Sequence, residues 1–369
     1  MPKASDRVPG VDLLRILSMV MVIVLHILGQ GGILDAAEPG SRVWYAAWGL
    51  ECLCYCAVDC YGLLSGYLGA GRKRPYSRLV LLWLEVELYS LLFYLFFRLH
   101  SPELVTKQHL IHALLPVLTR QYWYFTGYFC LMLLMPMLRN IGEGTDSRKA
   151  TGMVFLLLVF FCALPNLLHT DVFSLRGGYS AFWLLLLYFM GAMLRKSRFF
   201  HSLGALPLTL VFLLCSGLSF YTQLHPVTIP NLSTFTLLYY TSPTVAVSAV
   251  CLVLLFRRLR AEKLRGANLL STLSRTSFGV YILHTNPLLW YWIFFPGCLG
   301  SWAALPARIL SPLVPACAAG VYLLCSVPAY VRILLFRQLR LRERLERLEA
   351  RFLRRVSQTH GKECDHIGL

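Results

Sequence analysis

Apolar runs of about twenty residues, the length that crosses the hydrocarbon of a bilayer as a helix, recur along almost the whole of this chain. We place ten of them, at about 11–30, 45–68, 79–99, 121–138, 152–169, 179–195, 203–221, 235–256, 276–296 and 309–335. Of the 369 residues 57% are hydrophobic and 14% charged, where a soluble protein carries about 25% charged residues. Mean hydropathy is +0.60. In lipid, every backbone polar group must be satisfied inside the segment or a closed barrel, and runs of this length do it as helices. The expected fold is therefore all-α: a polytopic integral membrane protein with about ten transmembrane helices. Residues 1–336 read as one membrane domain.

Loop charge orients it. The connections at 69–78, 139–150, 195–202 and 257–275 are rich in Lys and Arg, whereas those at 31–44, 100–119, 170–178, 222–234 and 297–308 hold one basic residue or none. Cytoplasmic loops keep the positive charge, so both termini are expected in the cytoplasm, as an even span count also requires. The net charge of +17 follows from this distribution and points to anionic lipid headgroups, not nucleic acid. Residues 337–369 differ in kind. Leu341, Leu345, Leu348 and Phe352 recur at helical spacing among arginines and glutamates, which gives a basic amphipathic helix along the inner headgroups or the cytoplasmic loops. From Ser357 the tail is polar and expected to fray.

The first run is apolar yet carries Asp12, Arg15 and His26. Ionisable groups in a spanning helix face a protein interior or a water-filled cavity. Arg15 and His26 are eleven residues apart, within roughly 20° on one helix face and about 16 Å apart along its axis. Asp12 precedes Arg15 by three positions, within pairing distance. One face thus holds a charged pair near one end and a histidine deep inside, the signature of a lined cavity.

Further polar features are scattered through the other runs. Glu51 and Asp59 fall in the second; Glu85 and Glu87, in the third, cannot share a face. Gly62 and Gly66 form a GxxxG pair suited to close helix packing, with Ser65 between them. Tyr122, Trp123 and Tyr124 open the fourth run, either as an interfacial belt or as a platform for a sugar acceptor. His284 ends Ser277-Phe-Gly-Val-Tyr281-Ile-Leu-His284, either as a satisfied interhelical group or as part of the cavity. The twelve cysteines sit mostly inside apolar runs, where a free thiol packs as a small hydrophobe; no metal is expected, although Cys52, Cys56 and Cys60 share a face. His360 and Asp365 have the H-x4-D spacing of glycerolipid acyltransferases, but in a polar tail. Phosphate-binding loops, dinucleotide fingerprints, zinc-protease motifs and nucleophile elbows are absent from the sequence.

Taken in order, three elements resemble the acyltransferase-3 family of multi-pass membrane acyltransferases that modify cell-surface glycans. Arg15 and His26 match its R-x10-H. Asp59-Cys-Tyr-Gly-Leu-Leu-Ser65-Gly66-Tyr67-Leu68 is similar to its FFxLSGYL, with Cys60-Tyr61 replacing the aromatic pair. Ser277 to His284 is similar to its SFGIYLIH. The arginine motif expected after the second span is met in part, by Arg74 and Arg78, with Leu82 where another arginine would come. The resemblance implies O-acylation, usually O-acetylation, of a hydroxyl on a cell-envelope carbohydrate by cytoplasmic acyl-CoA, acetyl-CoA above all, at a bacterial plasma membrane. It makes His26, Arg15 and His284 the catalytic candidates. Arg15, Arg74 and Arg78 are then the donor-binding candidates, and Asp12, Tyr122, Trp123 and Tyr281 the substrate-binding candidates. A secondary transporter or flippase for a small or lipid-linked envelope substrate is the rival reading, because buried charges around a midplane cavity also serve transport. A sensor that binds ligand without turnover is a third.

The loop-charge pattern makes a direct prediction. Reporter fusions at Gly142 and Ser197 should read cytoplasmic and those at Pro39 and Thr228 external. A cytoplasmic signal at Pro39 or Thr228 contradicts the ten-span topology.

Overall fold

The computed structural model describes residues 9–72, 75–228, 234–259, 266–293 and 297–367. Apart from a two-residue antiparallel ladder, Val227–Thr228 with Thr234–Phe235, the regular structure in these residues is helical. Helix α1 spans Pro9–Leu28 and is followed by a short α2, Ile33–Ala36. The expected second span is two helices, α3 (Arg42–Cys54) and α4 (Ala57–Gly69), interrupted at Tyr55 and Cys56. Next come α5 (Ser77–His100), the short α6 (Lys107–Leu114) and α7 (Trp123–Leu134). Helix α8 (Ser147–Leu158) continues through a π-turn at Val159–Ala163 into α9 (Leu164–Leu167). Then follow α10 (Ala181–Lys196), α11 (Arg198–Ser202), α12 (Ala205–Leu224) and α13 (Pro243–Phe256). The last elements are α14 (Ala267–His284), α15 (Pro287–Ile293), α16 (Ala307–Gln338) and α17 (Leu341–Ile367).

Each expected apolar run overlaps a helix. Six helical segments are long and apolar enough to cross a bilayer unaided: Pro9–Leu28, Arg42–Gly69, Ser77–His100, Ser147–Leu167, Ala205–Leu224 and Ala307–Gln338. Trp123–Leu134 and Pro243–Phe256 are apolar but shorter. The ninth run departs furthest from expectation. Its helix starts at Ala267, well inside the basic loop, and stops at His284 instead of continuing to 296. Asn286 is the reason: its side-chain oxygen accepts from the backbone N–H of Leu288 at 3.1 Å, restarting the chain as α15 behind Pro287. Pro287 has no N–H to lose at that helix start.

Burial shows where lipid and protein lie. Helix α1 buries thirteen of its 20 residues, and α14, α16, α4, α3 and α13 surround it. Helix α12, of the same length, buries only Leu208, Ser216 and Ser219 and leaves Leu206, Leu210, Leu213 and Leu214 exposed. So much contiguous apolar surface is tolerable only against another apolar phase. The GxxxG pair does pack closely. A Cβ on Gly66 of α4 would lie 1.8 Å from the Tyr188 carbonyl oxygen of α10, and one on Gly191 of α10 would lie 2.1 Å from that of Leu63. The two backbones touch because neither glycine has a side chain.

Two buried acids lie outside this core of helices and resolve differently. Glu85 forms an ion pair with Arg332 of α16. Glu87 keeps one carboxylate oxygen buried with no partner among the described residues. Helix α17 does not fray at Ser357 but continues to Ile367. Its Glu349 carboxylate accepts from the backbone N–H groups of Tyr76 at 2.8 Å and Ser77 at 3.1 Å, capping the start of α5. A carboxylate there also suits the positive end of the helix dipole.

Candidate active site

A cavity of about 620 Å³ runs alongside α1. Arg15 and His26 both line it, as their shared face requires. At the arginine end it is bounded by Ser65, Ser274 and Arg275, and at the histidine end by Gln30, Glu51, Tyr122, Trp123 and Trp290. Tyr281 and Thr285 of the α14 wall complete it.

The arginine end is assembled around Asp12. One of its carboxylate oxygens accepts from the Arg15 guanidinium at 3.2 Å and from the Ser274 hydroxyl at 2.8 Å. Asp12 thus ties α1 to α14 and aims the guanidinium, but it does not line the cavity. Expected among the substrate-binding residues, it stands behind Arg15 and off the cavity wall. The Tyr61 hydroxyl donates to the Arg15 carbonyl at 2.5 Å, fixing α4 against the same turn of α1. Arg275, which the sequence presented only as loop charge, stands exposed at this mouth. Arg78 lies at the start of α5 and does not line the cavity. Arg74 falls outside the described residues. Leu82, in the position where the motif would have another arginine, does line it.

At the histidine end the two imidazoles meet. His26 Nδ1 is 3.1 Å from His284 Nε2, and His284 Nδ1 is 2.7 Å from the Val280 carbonyl oxygen. A carbonyl can only accept, so His284 Nδ1 carries the hydrogen and the Nε2 of the neutral ring is an acceptor. That acceptor takes its hydrogen from His26 Nδ1, which leaves His26 Nε2 with a bare lone pair. Trp290 packs edge-on against the His26 ring, with centroids 5.4 Å apart. His284 is buried behind His26 and does not line the cavity. The geometry makes it the group that sets the His26 tautomer.

Of the aromatic substrate-binding candidates, Tyr122 and Tyr281 stand together on the cavity wall. Tyr122 is buried and its hydroxyl receives a hydrogen bond from the Asn286 side chain at 2.9 Å. Ser90 of α5 lies 3.4 Å from the same oxygen. Tyr281 stands 6.2 Å from the Tyr122 ring. Trp123 turns away from them and packs against Tyr179 at 4.6 Å and Tyr240 at 6.1 Å. Tyr179 and Tyr240 come from distant loops held together by a hydrogen bond from the Tyr240 N–H to the Gly177 carbonyl at 3.1 Å. No local sequence signal marks such a pairing. Among the described residues no group of three or more His, Cys, Asp or Glu side chains is placed to hold a metal ion.

An arginine end and a histidine end joined by one cavity fit the ordered motifs, and a family comparison agrees. Residues 8–331 match the acyltransferase-3 family model, an acyltransferase domain. The chain belongs to this family. No curated protein and no solved structure matches it. Membership makes the chain an acyltransferase of the membrane type, and the R-x10-H residues are the two that the cavity brings to its opposite ends.

The imidazole pair yields a spectroscopic prediction. Nitrogen-15 shifts of labelled histidine should place the hydrogen of both His26 and His284 on Nδ1. In His284→Phe, which offers no acceptor, the His26 ring should redistribute between tautomers; His284→Gln, whose side-chain oxygen accepts, should largely preserve the wild-type pattern. A His26 ring with its hydrogen on Nε2 in the wild type contradicts the relay.

Proposed function

We propose that this chain is a ten-span O-acyltransferase of a bacterial plasma membrane, with both termini in the cytoplasm. It moves an acyl group, acetyl in the first instance, from cytoplasmic acyl-CoA to a hydroxyl of an extracytoplasmic glycan. The observation that carries this reading is the single cavity with a guanidinium at one end and an imidazole with a free Nε2 at the other.

In the proposed orientation the arginine end faces the cytoplasm. Arg15 and Arg275 grip donor phosphates there, with Arg74, ahead of α5 in sequence, and Arg78, at its start, supplying further positive charge. A planar guanidinium binds phosphate oxygens in pairs, which an ammonium does not. Asp12, braced by the Ser274 hydroxyl, holds Arg15 at the mouth. The pantetheine arm then extends along the cavity and presents its thioester near His26.

A thioester is already activated, so the protein has to position two reactants, remove one proton and accommodate one developing oxyanion. His26 Nε2 takes the proton of the acceptor hydroxyl as its oxygen attacks the thioester carbon. The C–O bond forms, the C–S bond breaks, and the proton held on His26 passes to the departing thiolate. His284, anchored on the Val280 carbonyl, keeps the His26 ring oriented while it is charged. Tyr122 accepts from Asn286, which leaves its own O–H hydrogen to donate to the oxyanion.

The test is turnover by purified protein with radiolabelled acetyl-CoA and a panel of hexoside acceptors. General-base loss costs on the order of 10²–10⁴ in rate, so His26→Gln should lower transfer by that factor while acetyl-CoA binding persists. Arg15→Lys and Arg275→Ala should instead weaken donor binding. Wild-type turnover by His26→Gln overturns the assignment of the base.

A further inference from the structure

The proposed reaction uses His26, Arg15 and their partners but leaves one charged group of the cavity without a role. Glu51 is 8% exposed, lines the cavity, and its Oε2 has no hydrogen-bond partner among the described residues. No arginine or lysine among the described lining residues lies near it; Arg15 and Arg275 stand at the opposite end. Along the α3–α4 side the cavity is lined by Glu51, Tyr55, Val58 and Tyr61, and Tyr61 is the one hydrogen-bonded to the Arg15 turn. Glu51 therefore lies away from Arg15, toward the histidine end.

The surroundings of Glu51 are aromatic. Tyr55 lies one turn along from it, on the same side of the chain. The Tyr55 ring stacks on Tyr240 at 4.9 Å, Tyr240 stacks on Trp123 at 6.1 Å, and Tyr179 touches both Trp123 and Tyr240. All four rings line the cavity. They form one continuous wall, not a closed cage, because each ring packs against its neighbours. A carboxyl group kept from water with no opposite charge ionises only at a cost, which an arriving cation offsets. Aromatic faces attract cations through their quadrupole, more strongly where water is excluded. An acid and an aromatic wall converging without a counter-cation are complementary to an ammonium group on a ring. A neutral sugar would leave the carboxylate uncompensated, and an anionic one would be repelled.

We infer that Glu51, with the Tyr55–Tyr240–Trp123–Tyr179 wall, is an acceptor subsite for a sugar that carries a protonated amino group, held with a neighbouring hydroxyl at His26. The inference rests on the proposed acyl transfer for the role of the bound sugar, but its binding chemistry is tested without turnover. Glucosamine and glucose differ at one position by an ammonium in place of a hydroxyl. Their binding to the full-length protein in detergent, followed through tryptophan fluorescence at a pH where the amine is charged, isolates that group.

Glucosamine should bind about tenfold or more tightly than glucose, the scale of one compensated charge beside aromatic faces. Glu51→Gln should reduce that preference to about twofold or less, with acetyl-CoA binding at the arginine end retained. Equal binding of the two sugars by the wild type overturns the inference, and this comparison needs no variant to fold. A preference that survives intact in a folded Glu51→Gln protein overturns it too. Failure of acetyl transfer with the Glu51-dependent preference intact counts against the reaction and leaves the ammonium subsite standing.

Discussion

A helix enclosed by protein on most sides cannot leave a guanidinium and an imidazole unpaired, and the rest of this structure is arranged to meet that constraint in α1. Asp12, itself held by the Ser274 hydroxyl, satisfies Arg15; His284, itself anchored on a carbonyl, satisfies His26 Nδ1. In low dielectric each unmade bond costs more than it would in water. The pairing groups come chiefly from α14, so α1 and α14 are fixed against each other in register as well as in contact. The cavity is the space left over on the face where the two polar clusters are held.

The helices around that pair serve it at longer range. Gly66 and Gly191 let α4 and α10 meet backbone to backbone, which keeps the α3–α4 wall, with Tyr61 and Glu51, close to α1. The break at Tyr55 and Cys56 lies beside the aromatic wall. The end of α14 at His284 matters in the same way. Had that helix continued, Asn286 could not both start α15 and reach the Tyr122 hydroxyl.

Much of this was legible in the sequence where periodicity or a motif carried it. The shared face of Arg15 and His26 follows from their eleven-residue spacing alone, and the close packing at Gly66 follows from GxxxG. Tyr122, Trp123 and Tyr124 all line the cavity. What escaped was set by contacts between distant segments. Asp12 looked like a wall residue because only Arg15 was visible as its partner; Ser274, more than 250 positions away, turns it into a brace. Arg275 was indistinguishable from topology charge. Glu51 was visible as an intramembrane acid, but its chemistry depends on Tyr179 and Tyr240, which loops from elsewhere deliver. The continuous ninth run misled because apolarity persists through Pro287 while the helix does not.

The central claim is that one cavity connects a donor mouth on the cytoplasmic side with an acceptor mouth outside, so that the acyl group, and neither whole substrate, crosses the membrane. Proteoliposomes of fixed orientation test it directly, with radiolabelled acetyl-CoA confined to the side of Arg15 and Arg275 and a membrane-impermeant hexosaminide confined to the other. The account predicts labelled ester on the acceptor, free coenzyme A remaining on the donor side, and no unmodified acceptor crossing. Transfer that occurs only when both substrates share a compartment, or movement of intact acceptor across the bilayer, would contradict it.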